Sequence, residues 1–387
     1  MRYSKRILET PSSFIRDILK VTEDPSIISF AGGLPNPISF PQEALKKASC
    51  DIIDKYGAKV FQYSTTQGYL KLRQIIADKY NANFGLDIKP ENVLILTGSQ
   101  QALDLMGKVL LNPGDKVIIE EPGYLGAIQA FMMFEPEFIP VTLEDDGLNL
   151  DRLEAALKQD RVKFAYLVPN FQNPTGLTYS KERREKICEL FKKYDVVLIE
   201  DDPYGELRFK GGNLPYIGAG RFDRSVLLGT FSKTVTPGMR IGYIITQDNE
   251  LMTHLITAKQ SSDLHSNIFS QYLVAEYLEH NALKDHISKI TALYKEQSDA
   301  MLAAMEEYFP KYVKYTQPEG GMFIWVTLPE GKSALDLFYK AMEKKVAFVP
   351  GDPFYVGKHG VNTFRLNYTN STPEMIREGI KRLAEVL

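Results

Sequence analysis

Two short segments place residues capable of amine and carboxylate chemistry directly after apolar runs. Gly229-Thr230-Phe231-Ser232-Lys233 follows Val226-Leu227-Leu228, and Glu200-Asp201-Asp202-Pro203-Tyr204 follows Val196-Val197-Leu198-Ile199. A lysine held away from water loses basicity, and its free amine can attack a carbonyl to form a Schiff base. A carboxylate at the end of a buried strand, where Asp201 falls, is costly unless it meets a cation. A third segment, Thr97-Gly98-Ser99-Gln100-Gln101-Ala102 after Val93-Leu94-Ile95-Leu96, sets a glycine and a hydroxyl at a helix start, where free backbone N–H groups face an anion. Taken singly, each has an ordinary alternative: Lys233 an exposed loop lysine, Ser99 a plain N-cap.

The elements that must position these residues are legible as pattern. Between Glu91 and Gln247, short β-branched runs bounded by Gly, Pro, Asn or Asp alternate with amphipathic stretches. Besides the three runs above, Lys116-Val117-Ile118-Ile119, Phe164 to Val168 and Ile241 to Ile245 read as buried strands. Gln100 to Leu111, Leu125 to Phe134, Asp151 to Lys158 and Ser180 to Tyr194 read as helices, with Ser180 as an N-cap. Such alternation predicts an α/β domain with a mostly parallel sheet, in which ligands gather at the carboxyl ends of the strands. Beyond Asn249 the pattern turns to long helices through Met305, then to short strands around Gly320-Gly321, Met322 to Val326, Val346 to Val349 and Thr363 to Tyr368, a smaller α+β unit. The Pro- and Gly-rich first forty or so residues are too broken for a separate domain and are expected to lie across the seam.

Composition narrows the classes. The 387 residues are 44% hydrophobic and 25% charged, ordinary globular values that exclude collagen-like, disordered and disulfide-scaffold chains. A formal charge of -3 without a basic block argues against nucleic acid as a partner. No run approaches the roughly 20 apolar residues of a membrane span, and the N-terminus lacks a signal-peptide pattern. Cys50 and Cys188 fit no metal or redox spacing, so no metal is expected and a reducing cytoplasm is the expected location.

The order of the motifs carries more than any one of them. Gly98-Ser99-Gln100, Asn170-Phe171-Gln172-Asn173-Pro174-Thr175-Gly176, Asp201-x-x-Tyr204 and Ser232-Lys233 with Arg240 beyond occur in turn. Together they resemble the fold-type I pyridoxal-phosphate aminotransferases of class I/II, over essentially the whole chain. Ser29-Phe30-Ala31-Gly32-Gly33-Leu34-Pro35, Gln62-Tyr63-Ser64 and Gly320-Gly321-Met322-Phe323 make the chain similar to the 2-aminoadipate and kynurenine aminotransferase subfamily. The resemblance implies a large domain with a mostly parallel seven-stranded sheet and a smaller α+β domain. The expected division is an N-terminal segment at 1–45, a large cofactor domain at 46–285 and a small domain at 286–387.

It also implies roles. Lys233 is the implied Schiff-base lysine for pyridoxal 5'-phosphate and the carrier of the proton at the substrate Cα. Asp201 is the implied partner of the pyridine nitrogen, with Asn173 and Tyr204 as donors to the ring oxygen and Tyr124 as the aromatic plate on the ring. Ser99, Gln100, Ser232 and Arg240, with Thr230 beside them, are the implied phosphate cup. Arg365 is the implied clamp on the substrate α-carboxylate, Asn173 is implied in substrate binding as well, and Gly33 is the implied backbone neighbour of the substrate. Tyr63 is implied to reach the active site of the neighbouring subunit of a homodimer with shared sites. Arg16 aligns with an arginine that binds a distal carboxylate in some aminoadipate enzymes. The expected reaction is ping-pong transfer of an amino group from a 2-aminoadipate-like, aromatic or aliphatic L-amino acid to a 2-oxo acid such as 2-oxoglutarate. A pyridoxal-phosphate β-lyase is the alternative on the same scaffold, and an aminotransferase-like regulatory domain a remote one, since the segment before Gly32 carries no helix-turn-helix pattern. A firmly held α-carboxylate argues against decarboxylation.

Overall fold

The structure, a computed structural model, describes residues 2–9 and 24–387. After a short helix, Lys5–Glu9, come β1 (Ile28–Ser29) and the helices Gln42–Tyr56 and Leu70–Phe84. Strands and helices then alternate: β2 (Val93–Leu96), helix Ser99–Leu110, β3 (Lys116–Glu121), helix Leu125–Met132, β4 (Glu137–Glu144), β5 (Gly147–Leu148), helix Leu150–Leu157, β6 (Val162–Leu167), helix Lys181–Lys193, β7 (Val197–Asp201), β8 (Ser225–Thr230) and β9 (Gly242–Ile245). Helices Asn249–Asp263, Ile268–His280 and Leu283–Tyr308 lead to β10 (Lys314–Tyr315), β11 (Phe323–Thr327), helix Ala334–Glu343, β12 (Val346–Ala347), β13 (Val349–Pro350), β14 (Thr363–Asn367) and helix Pro373–Ala384. The fold is α/β, as expected.

The large sheet has the order β2-β9-β8-β7-β6-β3-β4-β5. Its strands run parallel except β9, which is antiparallel to both β2 and β8, and the hairpin partner β5. It therefore contains eight strands rather than seven, the extra one being the two-residue β5. The eight-residue β4 was invisible as an apolar run because most of its residues are half-buried or exposed and it contains Pro140. Period-2 alternation assigns the faces. Leu94, Leu96, Val117, Ile119, Phe164, Tyr166, Val197 and Ile199 join one core with the helix Ser99–Leu110. Val93, Ile95, Ile118, Ala165 and Leu198 point the other way, into two cores on the opposite face. Asp201 continues the 197–199 series, so it is carried on the same face as Tyr166. Ser180 caps its helix as expected, accepting from Arg183 N at 3.1 Å.

The second sheet, β10-β11-β14-β13, is antiparallel throughout. The N-terminal segment joins this unit, for β1 pairs in parallel with β12, Phe30 N donates to Ala347 O (2.8 Å) and Asn367 N donates to Phe30 O (2.8 Å). Residues 31–36 thus reach the seam between the sheets, where Asn36 N donates to Tyr294 Oη at 3.0 Å.

The loops at the carboxyl edge are held by a fully buried arginine. Arg184 donates to the carbonyls of Tyr179 (3.0 Å), Pro215 (3.1 Å) and Pro169 (2.8 Å) and to Asn170 Oδ1 (2.6 Å), and lies 3.7 Å from Glu200. Removing one partner of such a network leaves buried acceptors and a buried charge unpaired. Arg184→Met is expected to lower unfolding stability by about 3 kcal/mol or more, read as a lower midpoint in urea; an unchanged midpoint would refute this role.

Candidate active site

Because β2, β3, β6, β7 and β8 run in one direction, their carboxyl ends meet at one edge of the sheet. The antiparallel β9 brings its amino end there: Gly242 pairs with Leu96 on one side and Thr230 on the other, which sets Arg240 against the start of the helix Ser99–Leu110. The approach is close. A Cβ on Gly98, at φ 75°, would lie 2.4 Å from an Arg240 guanidinium nitrogen, and one on Gly242 would lie 2.6 Å from Ser99 N. Only glycine fits at either position.

At this edge lies a cavity of about 270 Å³, whose lining includes Gly33, Ser99, Gln100, Tyr124, Asn173, Asp201, Tyr204, Thr230, Ser232, Lys233, Arg240 and Arg365. The structure thus brings together all the sequence-read site residues but two. Tyr63 is 80% exposed outside its own chain's cavity, with its ring edge against His265 at 5.8 Å. Arg16 lies outside the described residues. A wider neighbouring cavity of about 440 Å³ holds the acids Asp202 and Glu206, but they are already engaged by Asn170 (2.9 Å), Tyr216 (2.8 Å) and Lys79 (2.6 Å).

Lys233 Nζ donates to Gly33 O at 2.9 Å. Burial, aided by the charges of Arg365 and Arg240, lowers its pKa to about 8. Asp201 is pushed up to about 7 by burial, which the Tyr166 hydroxyl opposes through a 2.6 Å bond to Oδ2. Its other oxygen, Oδ1, is buried without a donor among the described residues. Arg365 on β14 donates from Nη1 to Asn173 Oδ1 and from Nη2 to Ala31 O, both at 2.7 Å, and lies over the rings of Phe323 (4.3 Å) and Phe354 (5.3 Å). Burial lowers its pKa to about 10, and its Nε has no partner among the described residues. Asn173 Nδ2 points to Tyr204 Oη at 3.5 Å. On the opposite wall Thr230 Oγ1 donates to Ser232 Oγ (3.0 Å), which also accepts from Arg240 Nη1 (3.5 Å), beside the helix N-terminus. Burial raises the Tyr124 hydroxyl to about 12, so it stays neutral.

Sequence reading missed three contributors. Tyr166 and Phe323 belong to strand runs and were indistinguishable there from core aromatics. Glu120 is buried in β3 and accepts from Val168 N (2.9 Å), Gln172 Nε2 (2.9 Å) and Tyr179 Oη (2.6 Å), tying down the loop that carries Asn173. An acid directly after the Val117-Ile118-Ile119 run was its only signal.

Fold and site define a class: a fold-type I α/β enzyme with a buried, low-pKa amine, an anion cup and a carboxylate clamp around one cavity. The family model for aminotransferase class I and II matches residues 36–383. The chain is 44% identical to aromatic-amino-acid aminotransferase 1 of Thermococcus litoralis, over 100% of this chain and 94% of that protein. Among solved structures it is similar to Pyrococcus horikoshii kynurenine aminotransferase in complex with PMP (TM-score 0.95, 45% identity, 100% of this chain and 96% of that one). It is also similar to α-aminoadipate aminotransferase from Thermus thermophilus, complexed with N-(5'-phosphopyridoxyl)-L-leucine (TM-score 0.92, 41% identity, 100% and 97%). The chain belongs to the class I and II aminotransferase family.

The Lys233 environment is directly measurable. Its amine is uncharged above the lowered pKa, so in ligand-free protein labelling by a carbonyl reagent with reductive trapping, followed by peptide mass analysis, is expected to rise with a midpoint near pH 8. A midpoint near the ordinary lysine value of about 10.4 would show that burial does not act on this amine.

Proposed function

We propose that this enzyme is a pyridoxal-5'-phosphate-dependent transaminase that moves the amino group of an L-amino acid to a 2-oxo acid, with 2-oxoglutarate as the usual acceptor. The single observation that carries the reading is the convergence of Lys233, Asp201, Arg240 and Arg365 on one cavity. The relatives' names support aromatic, kynurenine-like and 2-aminoadipate-like amino acids as donors, with aliphatic ones beside them.

The residues fit the cofactor. The unpartnered Asp201 Oδ1 offers a carboxylate to a protonated ring nitrogen, and the Ser99 helix start, Ser232, Thr230 and Arg240 form a cup of donors for a phosphate. When bound, pyridoxal phosphate supplies an aldehyde and a ring that accepts the electrons of the substrate Cα–H bond. Tyr124 would cover a face of the ring, and Tyr204 and Asn173 would donate toward its oxygen. Arg365 takes the substrate α-carboxylate, with its unpaired Nε available for that anion and Asn173 fixing its fork. Gly33 would leave room for the substrate, and Lys233, neutral at modest alkalinity, would take the proton from the substrate Cα and return it, across the nitrogen, to the former aldehyde carbon of the cofactor. Arg16 remains a proposed reader of a distal carboxylate.

The same reading divides the chain into 1–45, 46–285 and 286–387, a division supported by the pairing of β1 with β12. It also makes the enzyme cytoplasmic, consistent with two free cysteines; no helix among the described residues is long and apolar enough to cross a membrane. A homodimer is supported by exposed apolar side chains at Phe61, Tyr63, Leu70 and Leu264. From there Tyr63 meets His265, and the adjacent Ser266 Oγ lies 2.9 Å from Thr97 Oγ1, beside the cup. Tyr63 is proposed to complete the partner's cup.

Titrating the cofactor-loaded protein with L-glutamate, L-2-aminoadipate, L-kynurenine and L-leucine in separate samples is expected to convert the yellow band to the pyridoxamine form with release of the matching keto acid. Lys233→Ala is expected to lose about 10⁴-fold in that half-reaction; ordinary turnover in the variant, or no yellow band in the wild type, overturns the reading. Sedimentation equilibrium is expected to give twice the 43.8 kDa chain mass, whereas a monomer at micromolar concentration would remove the proposed role of Tyr63.

A further inference from the structure

We propose that Tyr166 is a positioning residue of the transamination site, holding Asp201 by one carboxylate oxygen so that the other is left without a protein donor beside the cavity. This rests on the function proposed above and assigns a part to a residue that the motifs do not mark.

Three consecutive acids end β7 and its loop, and their surroundings differ. Glu200 points to the opposite face, accepting from Ile217 N (3.0 Å) and Gly218 N (3.2 Å). Asp202 accepts from Asn170 Nδ2 (2.9 Å), Gly205 N (2.9 Å) and Tyr216 Oη (2.8 Å). Asp201, 2% exposed, has a single donor among the described residues, the Tyr166 hydroxyl. The cations of the cavity are turned elsewhere: Lys233 to Gly33, Arg365 to Asn173 and Ala31, Arg240 to Ser232.

The backbone explains why Tyr166 can do this. In the parallel register of β6 and β7, Tyr166 pairs with Ile199 and Leu167 with Glu200, so Tyr166 and Asp201 project from the same face of adjacent strands. The ring packs in the core with Phe131 (5.9 Å), where a phenylalanine would serve equally well. The hydroxyl is the part a phenylalanine would lack, and burying it is costly without a partner. Donation to Oδ2 favours the ionised carboxyl, against burial and the nearby charges of Asp202 and Glu120. It also restrains rotation about the Asp201 side chain, so that Oδ1 would be kept for a ring nitrogen.

Tyr166→Phe, Asp201→Asn and the double variant separate this role from mere packing. In the loaded enzyme Tyr166→Phe is expected to slow the amino-donor half-reaction by about 10–100-fold, the range for groups that orient a first contact. The donor KM should stay within about threefold. Equilibrium dialysis against the apo-protein is expected to show cofactor Kd raised by about 10-fold. In the Asp201→Asn background the same change is expected to alter either quantity by less than about twofold, since the two residues act as one unit. Unchanged Kd and rate in Tyr166→Phe, or a full multiplicative loss in the Asp201→Asn background, overturns the assignment. Failure of the wild type itself to bind the cofactor overturns the proposed function, a result distinct from either of these.

Discussion

The site depends on keeping one carboxylate, Asp201, dry and singly bonded at the end of β7. Water would satisfy both its oxygens; here the strand buries it, burial raises its pKa to about 7, and one hydroxyl holds it. The same exclusion of water acts on the cations across the cavity, lowering Lys233 to about 8 and Arg365 to about 10. Each group is left with an unmet electrostatic demand that a ligand bearing a ring cation, a phosphate and a carboxylate would meet. Preorganised groups of this kind need no reorganisation at the moment of reaction.

Two sheets must meet for that geometry to exist. The large sheet contributes the Lys233 loop, Asp201 and the anion cup. The small antiparallel sheet contributes Arg365, whose partners are Asn173 from the loop after β6 and the Ala31 carbonyl from the N-terminal segment. Its guanidinium is further held over Phe323 and Phe354. The clamp therefore bridges both sheets and the chain's first segment, and a shift of the small sheet would move the clamp relative to Lys233.

Rigidity below the cavity comes from buried polar hubs rather than from apolar packing alone. Glu120 and Arg184 each bind several groups in the loops after β6, and Glu200 anchors the segment at Ile217. Such hubs were poorly legible in the sequence. An acid at the end of an apolar run, or an arginine in an amphipathic helix, has the same local signature whether it faces solvent or the polar groups of a loop.

What the sequence determined by itself was local and periodic: the apolar runs of β2, β3, β6, β7 and β8, the helices between them, and the polar residues directly after each run. Since parallel strands open at one edge, the residues after those runs, Ser99, Asp201 and Lys233 among them, were placed at one edge, and the family resemblance added Tyr124 and Asn173 to them. Only the tertiary structure decided what depends on contacts between distant segments. It reversed β9 so that Arg240 meets the cup, added the half-exposed β4 between β3 and the short edge strand β5, left Tyr63 outside its own cavity, and set Tyr166 beside Asp201. The reason is physical: periodicity records which face of an element is dry, whereas a single hydrogen bond between strands depends on register, and register is a property of the assembled sheet.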